Sequence, residues 1–370
     1  MSQKKQTKEI SAFGLNLYSS LISILMGLLF GAILLFIFNP SKAPNGISNL
    51  LFTGFASKEK FAKVLYQTGP LMLCGLSVGM AFKTSLFNIG APGQYTVGAM
   101  VALIFALHFK ASWGVCLLMA AIAGAIWGMF PGLFKAYFNV NVVITTIMLN
   151  WVGLFLTNVV VSNVSGLLAC DYGSPIKNRT AGLAVGNVNA IIPHAGLDKA
   201  FNSGSMNISI FICIAVAYLC HVILNKTTFG YELKACGFNA DGAKYAGINE
   251  KANIVYAMMI AGALAGLGGG IYYLAGTAEY LIEKNLLSMG FDGIPVALLA
   301  HSEPLGTILA ALFISFIRVG GQAMQPDFSP EYIDVILSAI IYFAAFSLLI
   351  KEKIVARHKR KALGSEKEAA

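Results

Sequence analysis

Residues 254–275 read IVYAMMIAGALAGLGGGIYYLA, a run of 22 residues without a charged side chain. An α-helix needs about 20 predominantly apolar residues to cross the hydrocarbon core of a bilayer. Glycine recurs at every fourth position, Gly262, Gly266 and Gly270, and this spacing lets two helices approach closely within lipid. The stretch therefore predicts a transmembrane helix that packs tightly against its neighbours.

Similar apolar runs recur along the whole chain of 370 residues. Including the run just quoted, there are about ten: Leu15–Phe38, Val64–Phe82, Pro92–Phe109, Trp113–Leu133, Val143–Ser162, Ile208–Leu224, Ile254–Ala275, Gly290–Ala300, Leu305–Met324 and Ile333–Ile350. The eighth run is too short to span alone, and Pro304 is expected to break the helix that follows it. Only 12% of the residues are charged, against about 25% in soluble domains. The predicted fold class is all-α, a polytopic membrane helix bundle of about ten transmembrane helices.

The distribution of lysine and arginine predicts which side of the membrane each segment faces. With ten spans and an inner N-terminus, the inner segments hold 16 of these residues and the outer segments 9. Cytoplasmic segments carry such an excess, so both termini are predicted to be cytoplasmic. The expected organisation is a cytoplasmic N-terminus (1–14), a transmembrane domain (15–350) with an outer loop (164–206) and an inner loop (226–251), and a basic cytoplasmic tail (351–370).

The sequence lacks the motifs of the common catalytic chemistries. It has no Gly-Lys dipeptide and hence no phosphate-binding P-loop, so the chain is not expected to hydrolyse ATP. No His-Glu-x-x-His or Cys-x-x-Cys spacing occurs, so no metal site is expected. One Gly-x-Ser-x-Gly match, at 75–79, lies inside an apolar run rather than at a strand-to-helix turn. We therefore expect no catalytic residues and a protein that is not an enzyme.

The net charge of +9 does not indicate nucleic-acid binding. Proteins that bind nucleic acids cluster their basic residues on one soluble face, whereas here most of them lie at the ends of apolar runs. We expect no nucleic-acid partner.

A few polar or charged residues lie within or beside the apolar runs. Such residues are costly in lipid and usually face a bundle interior or a cavity. The positions are Asn88, Gln94, Asn141, Asn150, Asp292, Arg318 and Gln322. Arg318 and Gln322 are four residues apart and share a helical face. Instead of lining a cavity, the amides have interhelical hydrogen bonding as an alternative role. For Asp292 and Arg318 the alternative role is a structural ion pair or snorkelling toward the membrane surface.

The inner loop has a composition that suits a protein partner. Residues 230–248 read GYELKACGFNADGAKYAGI, in which small residues alternate with charged and apolar ones. A short helix with small residues and a few apolar side chains fits a groove on another protein, although many inner loops are simply solvated connectors. The positions of interest are Glu232, Ala235, Gly237, Asn239, Ala243 and Gly247.

This inner loop resembles the ATPase-coupling segment of ABC importer permeases. Within that superfamily the chain is similar to permeases for purine nucleosides and simple sugars, which are relatives of the branched-chain amino-acid permeases. Three further stretches carry the likeness: LFNIGAPGQ at 86–94, NVNVVITTIMLN at 139–150, and GFDGIPVALLAHSEPLG at 290–306 followed by RVGG at 318–321. The four motifs occur in the family's order.

Two positions depart from the family pattern. The family has glutamate where this chain has Pro92 and Val142. Because both acids are lost together, we expect the two positions to form one local site. That site either touches the substrate or serves as a gate or structural contact.

The resemblance implies a transmembrane permease subunit of an ATP-driven ABC importer, embedded in the lipid of the bacterial cytoplasmic membrane. It implies three protein partners: an ATP-binding subunit that engages the inner loop, a second homologous permease, and an extracytoplasmic substrate-binding (lipo)protein. ATP and Mg²⁺ would belong to the ATP-binding subunit, with no cofactor in this chain.

The resemblance also implies a small-molecule substrate, a purine nucleoside in preference to a simple sugar, whose path the polar positions named above would line. The residues themselves leave open an ion-coupled secondary carrier that acts without an ATPase. The shortage of acidic residues in the spans counts against that alternative.

Overall fold

The computed structural model describes residues 12–345, and it is built almost entirely of α-helices. The helices are α1 (Ala12–Phe38), α2 (Ala43–Ala56), α3 (Lys58–Lys83), α4 (Ala91–Leu103), α5 (Trp113–Phe138), α6 (Val142–Asn163), α7 (Leu183–Gly186), α8 (Leu197–Phe201), α9 (Ser209–Lys226), α10 (Thr228–Phe238), α11 (Ala240–Tyr245), α12 (Glu250–Leu274), α13 (Ser288–Leu299), α14 (Pro304–Gln322) and α15 (Pro330–Ala345). Within residues 12–345 there is no β-strand, only two isolated bridges. The predicted all-α fold is confirmed.

Some of the predicted segments lie outside the described residues. These are residues 1–11 of the N-terminal segment, the end of the tenth apolar run, and the whole basic tail 351–370. The cytoplasmic location of the N-terminal segment and of the tail stays a prediction, as does the span formed by the tenth run.

Among residues 12–345, seven helices are long and apolar enough to cross a membrane. They are Ser20–Phe38 within α1, then α3, α5, α6, α9, α12 and α14. The other predicted runs are helical but shorter: α4 continues through a π-helical turn to His108, α13 has 12 residues and α15 has 16. The count of about ten spans, like the location of the termini, stays a prediction.

The break predicted at Pro304 is present. Helix α13 ends at Leu299, and α14 begins at Pro304 itself. Proline fits the first position of a helix, because an N–H there would have no partner within the helix. Between them, His301 and Ser302 adopt left-handed backbone conformations that turn the chain sharply.

The described chain forms two compact units. Among the described residues, the first unit contains those up to Ser48 and those from Met324, and in it α1 packs against α15. Gly31 permits this contact, because a Cβ atom there would lie 2.9 Å from Ile336 Cγ2. The second unit, Asn49–Ala323, contains α3 to α14.

Helix α12 is the central element of the second unit, since it packs against α3, α4 and α5. A Cβ atom on Gly262 would overlap the backbone oxygen of Gly124 in α5, and a Cβ atom on Gly98 in α4 would overlap the backbone of Gly266. Glycine allows helix backbones to come this close. The tight packing predicted from the glycine spacing of residues 254–275 is therefore confirmed.

The outer loop 164–206 is folded as short helical segments that rest on the helix ends beneath it. The amide nitrogen of Asn187 donates to the backbone oxygens of Ala106 and Ala111, at 2.8 and 2.9 Å. The Ile192 N–H donates to Leu274 O, the last residue of α12, at 2.9 Å. The loop is thus part of the folded second unit.

We predict that Gly262→Leu strongly destabilises the second unit, because the leucine side chain has no space beside the Gly124 backbone. Overpacking of this kind costs about 1–3 kcal/mol or more, enough to lower the unfolding midpoint by several degrees. Thermal unfolding of the full chain in mild detergent measures the effect. Gly114→Leu is the matched control, because a Cβ atom there meets nothing within 4 Å. Equal midpoints for the two variants would contradict this account of the packing.

Candidate substrate cavity and coupling segment

Three of the predicted polar residues stabilise the turn between α3 and α4. Asn88 donates to Gln94 Oε1 at 3.0 Å and accepts from the Gly90 N–H at 2.9 Å. Asn150, from α6, accepts from the Gly93 N–H at 2.9 Å and donates to Ile89 O at 3.0 Å. All three side chains are buried. These bonds satisfy backbone groups that the break in the helix would otherwise leave unpaired.

Asn141 and the two positions that depart from the family pattern have local packing or capping contacts. Asn141 caps α6, its side-chain oxygen accepting from the Val143 N–H at 2.9 Å, and it is exposed. Val142 is buried as the first residue of α6. Pro92 is buried where Gly290 of α13 packs against its backbone. Whether any of these residues meets a substrate stays a prediction.

Asp292 and Arg318 form an ion pair that joins α13 to α14. The contact is made between Arg318 Nη2 and Asp292 Oδ2, with side-chain exposures of 18% and 16%. Removing one partner of such a pair leaves a buried charge uncompensated. A structural ion pair was one of the alternatives predicted for these two residues, and it is present. It holds the Arg318 guanidinium in a fixed place.

A cavity of about 270 Å³ lies beside this ion pair, within the second unit. This volume lies just below the ~300–1,000 Å³ typical of small-molecule sites. Four of its lining residues are tyrosines, and most others are polar. The lining comprises Gln67, Tyr95, Tyr272, Tyr273, Ala278, Glu279, Tyr280, Leu281, Glu283, Asn285, Leu287, Ser288, Met289, Arg318 and Gln322. Of the predicted path residues, the cavity includes Arg318 and Gln322.

Three of the four lining tyrosines form a connected aromatic cluster. Tyr272 and Tyr273 meet edge to face with their ring centroids 5.1 Å apart, and Tyr273 meets Tyr280 at 5.9 Å. Tyr66 extends the cluster by stacking on Tyr272 at 5.5 Å. Sequence analysis missed this wall, although the signal was present: a tyrosine pair at the end of an apolar run and a third tyrosine soon after it.

The segment that connects α12 to α13 covers the cavity and is tied to the outer loop. Tyr280 donates its N–H to Thr180 Oγ1 at 3.0 Å, and its hydroxyl donates to Asn158 Oδ1 at 2.9 Å. Arg179 pairs with Glu279 at 3.0 Å. Burial, with Glu283 nearby, raises the pKa of the Tyr280 phenol above its usual value, so this hydroxyl stays neutral and available as a donor.

The inner loop forms α10 and α11 next to the start of α12, whereas the cavity lies near its end. The two ends of α12 are roughly 37 Å apart, since each of the 25 residues of the helix rises about 1.5 Å. Asn239 separates the two short helices, and its side chain accepts from the Gly242 N–H at 3.0 Å. Two large aromatic residues of this segment are almost fully exposed: Phe238 at 90% and Tyr245 at 95%. Exposed aromatic side chains on an extramembrane segment are typical of a contact surface for another protein.

The inner loop is attached to two of the long helices. Ser85, just after α3, donates to Gly237 O at 2.6 Å, and a Cβ atom on Gly237 would overlap the Lys83 backbone oxygen. Glu232 accepts from Asn253 of α12 at 3.2 Å. A displacement of α10 would therefore be transmitted to both α3 and α12.

The remaining predicted residues of the inner loop have structural roles or lie on its surface. Ala235 is half-buried in α10, and Ala243 is buried in α11. Gly247 has a φ of +82°, a backbone conformation that favours glycine, and it ends the segment. Burial raises the pKa of the Cys236 thiol, and the Glu250 and Glu232 carboxylates add to the effect, so this cysteine is a poor nucleophile.

The structure provides no obvious metal site within residues 12–345, where no three His, Cys, Asp or Glu residues lie together.

Seven candidate spans among the described residues indicate a multi-pass membrane protein. The sequence model of the family described as branched-chain amino acid transport system, permease component, matches residues 61–345, and the chain belongs to this family. Members of this family are permease subunits of ABC transporters and have no catalytic activity of their own.

Three relatives are similar over most of their length. The nucleoside ABC transporter permease NupB of Lactococcus lactis subsp. cremoris is 33% identical over 339 residues, which cover 90% of this chain and 91% of NupB. The guanosine ABC transporter permease NupP of Bacillus subtilis is 34% identical over 343 residues, 91% of this chain and 95% of NupP. The glucose permease TsgB13 of Haloferax volcanii is 29% identical over 305 residues, 80% of this chain and 78% of that relative. No solved structure matches the chain.

We predict that Asp292→Asn and Arg318→Gln each destabilise the fold by about 1–3 kcal/mol, somewhat below the ~3–5 kcal/mol of fully buried pairs, since both side chains keep some exposure. The double variant should recover more than half of the loss, because neither charge is then left alone. A double-mutant cycle on thermal unfolding in detergent measures the coupling. Strictly additive losses would show that the pair does not hold α13 to α14.

Proposed function

We propose that this chain is the transmembrane permease subunit of an ATP-driven ABC importer for nucleosides. The observation that carries the proposal is the pair of exposed aromatic residues, Phe238 and Tyr245, on a segment attached to α3 and α12. In a permease family, a segment of this kind serves as the contact for an ATP-binding subunit. ATP and Mg²⁺ are then bound by that partner.

The proposed mechanism needs no bond of the substrate to be made or broken. Closure of the ATP-binding subunit moves α10 and α11, and the Ser85–Gly237 and Glu232–Asn253 hydrogen bonds carry this motion to α3 and α12. Both helices also contribute to the cavity, through Gln67 and through Tyr272 and Tyr273. Movement of the inner loop therefore alters the cavity at the far end of the same helices.

Three further partners complete the proposal. An extracytoplasmic substrate-binding (lipo)protein docks on the side of the outer loop, whose folded segments lie next to the cavity cover. A second homologous permease and membrane lipid share the largely unburied apolar faces of α5 and α6. The complex is located in the bacterial cytoplasmic membrane, with both termini of this chain inside.

Nucleosides are proposed as the substrate class because two relatives at 33–34% identity are a nucleoside and a guanosine permease. An aromatic wall with amide and charged groups suits a planar base joined to a hydroxyl-rich sugar. A simple sugar is the alternative, supported by the likeness to a glucose permease at 29% identity.

The ion-coupled carrier is the less favoured alternative. Proton- or sodium-driven carriers use acidic residues within the membrane as coupling groups. Asp292 is bound in an ion pair with Arg318, which neutralises the charge that such coupling would need.

We predict that the double substitution Phe238→Ala with Tyr245→Ala weakens association with the ATP-binding subunit at least tenfold while the permease remains folded. Both side chains are exposed, so their loss does not disturb the core. The measurement is recovery of the ATP-binding subunit with tagged permease from native membranes, quantified by mass spectrometry. Val185→Ala, which truncates a 70% exposed apolar residue of the outer loop, is the matched control.

Full recovery of the ATP-binding subunit by the Phe238→Ala, Tyr245→Ala variant would contradict the coupling assignment. Purification of the wild-type permease as a single chain would contradict the importer itself, provided that a known ABC complex survives the same detergent. Transport by such a single chain, driven by an ion gradient, would establish the secondary carrier.

A further inference from the structure

An ion pair joins the end of α3 that contacts the inner loop to the start of α14. Lys83 Nζ is 2.6 Å from Glu303 Oε1. Lys83 is the last residue of α3, and Glu303 immediately precedes the first residue of α14. A positive charge is favoured at the C-terminal end of a helix and a negative charge at the N-terminal end. Each partner therefore lies where its own helix stabilises the charge.

The Glu303 carboxylate is bonded to α3 and not to its own helix. It makes no capping hydrogen bond to the N–H groups of α14. In the turn before it, His301 and Ser302 have φ of +50° and +55°. This turn rests on α3, since a Cβ atom on Gly79 would be 3.5 Å from Ser302 Cα, an ordinary van der Waals distance. The start of α14 is thus held against α3 both by packing and by the ion pair.

The inner loop contacts α3 at the same lysine. A Cβ atom on Gly237 of α10 would overlap the backbone oxygen of Lys83, so the two backbones lie in direct contact. The Ser85 hydroxyl donates to Gly237 O at 2.6 Å. Lys83 therefore meets the inner loop with its backbone and Glu303 with its side chain. A displacement of α10 that moves the end of α3 also pulls on the start of α14.

Helix α14 carries two of the residues that line the cavity, Arg318 and Gln322. Arg318 is paired with Asp292 of α13, so a shift of α14 moves that ion pair as well. The inner loop has hydrogen bonds to the ends of α3 and α12, which carry other lining residues. The contact between Lys83 and Glu303 adds α14 to the helices that the inner loop can move.

We propose that Lys83 and Glu303 are positioning residues of the transport cycle, whose ion pair transmits the displacement of the inner loop to α14. The inference rests on the proposed function and deepens it, because it assigns two residues to the coupling of ATP hydrolysis to transport. Neither residue is among those that line the cavity. Their effect is therefore on how much substrate is moved for each ATP, rather than on how tightly the substrate is bound.

The exposure of the pair separates this role from a purely structural one. The side chains of Lys83 and Glu303 are 22% and 42% exposed. Ion pairs that water reaches in this way contribute little to stability, because the solvent screens them. Loss of the pair is therefore expected to leave the chain folded, so that a change in coupling is not explained by unfolding.

The test measures radiolabelled guanosine uptake and ATP hydrolysis in the same proteoliposomes, using the complete transporter complex with its substrate-binding protein. Lys83→Gln and Glu303→Gln each remove one charge and keep the side chain close to its length. The exchange Lys83→Glu with Glu303→Lys restores an ion pair of reversed polarity. Lys63→Gln is the matched control, because its ion pair with Glu59, at 3.4 Å, lies within α3 and joins no second helix.

We expect Lys83→Gln and Glu303→Gln each to lower the number of guanosine molecules imported per ATP by about threefold or more, the scale of effect typical of residues that couple two sites. The exchange variant should recover at least half of the loss, and Lys63→Gln should match the wild type. Recovery is incomplete because each reversed charge lies at the helix end that disfavours it. The midpoints of thermal unfolding should stay within about 2 °C of the wild type.

A wild-type ratio of uptake to hydrolysis in both single variants would overturn the proposed role and leave the nucleoside importer standing. A loss that the exchange variant does not recover would overturn the ion pair as its cause. A loss accompanied by a fall of many degrees in the unfolding midpoint would show a structural role instead. A wild-type complex that imports neither guanosine nor glucose with ATP would overturn the proposed function, and the positioning role with it.

Discussion

The close contact of glycine backbones along α12 is the constraint on which the rest of the structure depends. Gly262 and Gly266 have no side chain, so the backbone of α12 can touch the backbones of α5 and α4. Helices that carry larger side chains at their contact lie farther apart. Without a hydrophobic effect between helices in lipid, such contacts supply much of the packing energy. They place α12 at the centre of its unit, where it joins the inner loop at one end to the tyrosine-lined cavity at the other.

This arrangement gives a physical link, within the second unit, between the inner loop and the cavity. A tightly packed helix moves as a body, because a core of native density does not deform continuously. Asn253 near the start of α12 is bonded to the inner loop, and Tyr272 and Tyr273 near its end line the cavity. A partner protein that moves the inner loop can therefore change the cavity by displacing α12 as a rigid body. A chain of small side-chain rearrangements between the two places is not required.

Much of this fold was predictable from the sequence, because apolar runs and glycine spacing are local signals of membrane helices. The break at Pro304 also follows from a single residue, whereas the ion pair of Asp292 with Arg318 was only one of the alternatives that the sequence left open. Only part of the cavity was predictable: Arg318 and Gln322 line it. Asn88, Gln94 and Asn150 bond to one another and to the backbone of the turn between α3 and α4, and a contact of theirs with a substrate stays a prediction. The tyrosine wall is assembled from α4, α12 and the segment after α12, and no periodicity reveals that contact.

The central claim is that transport through this chain is driven by ATP in a partner subunit. The most direct measurement is guanosine uptake into right-side-out membrane vesicles loaded with ATP or with a non-hydrolysable analogue, with ionophores collapsing all ion gradients. The account predicts uptake with ATP that the ionophores leave unchanged and no uptake with the analogue. Uptake that is equal with both nucleotides and abolished by the ionophores would contradict it.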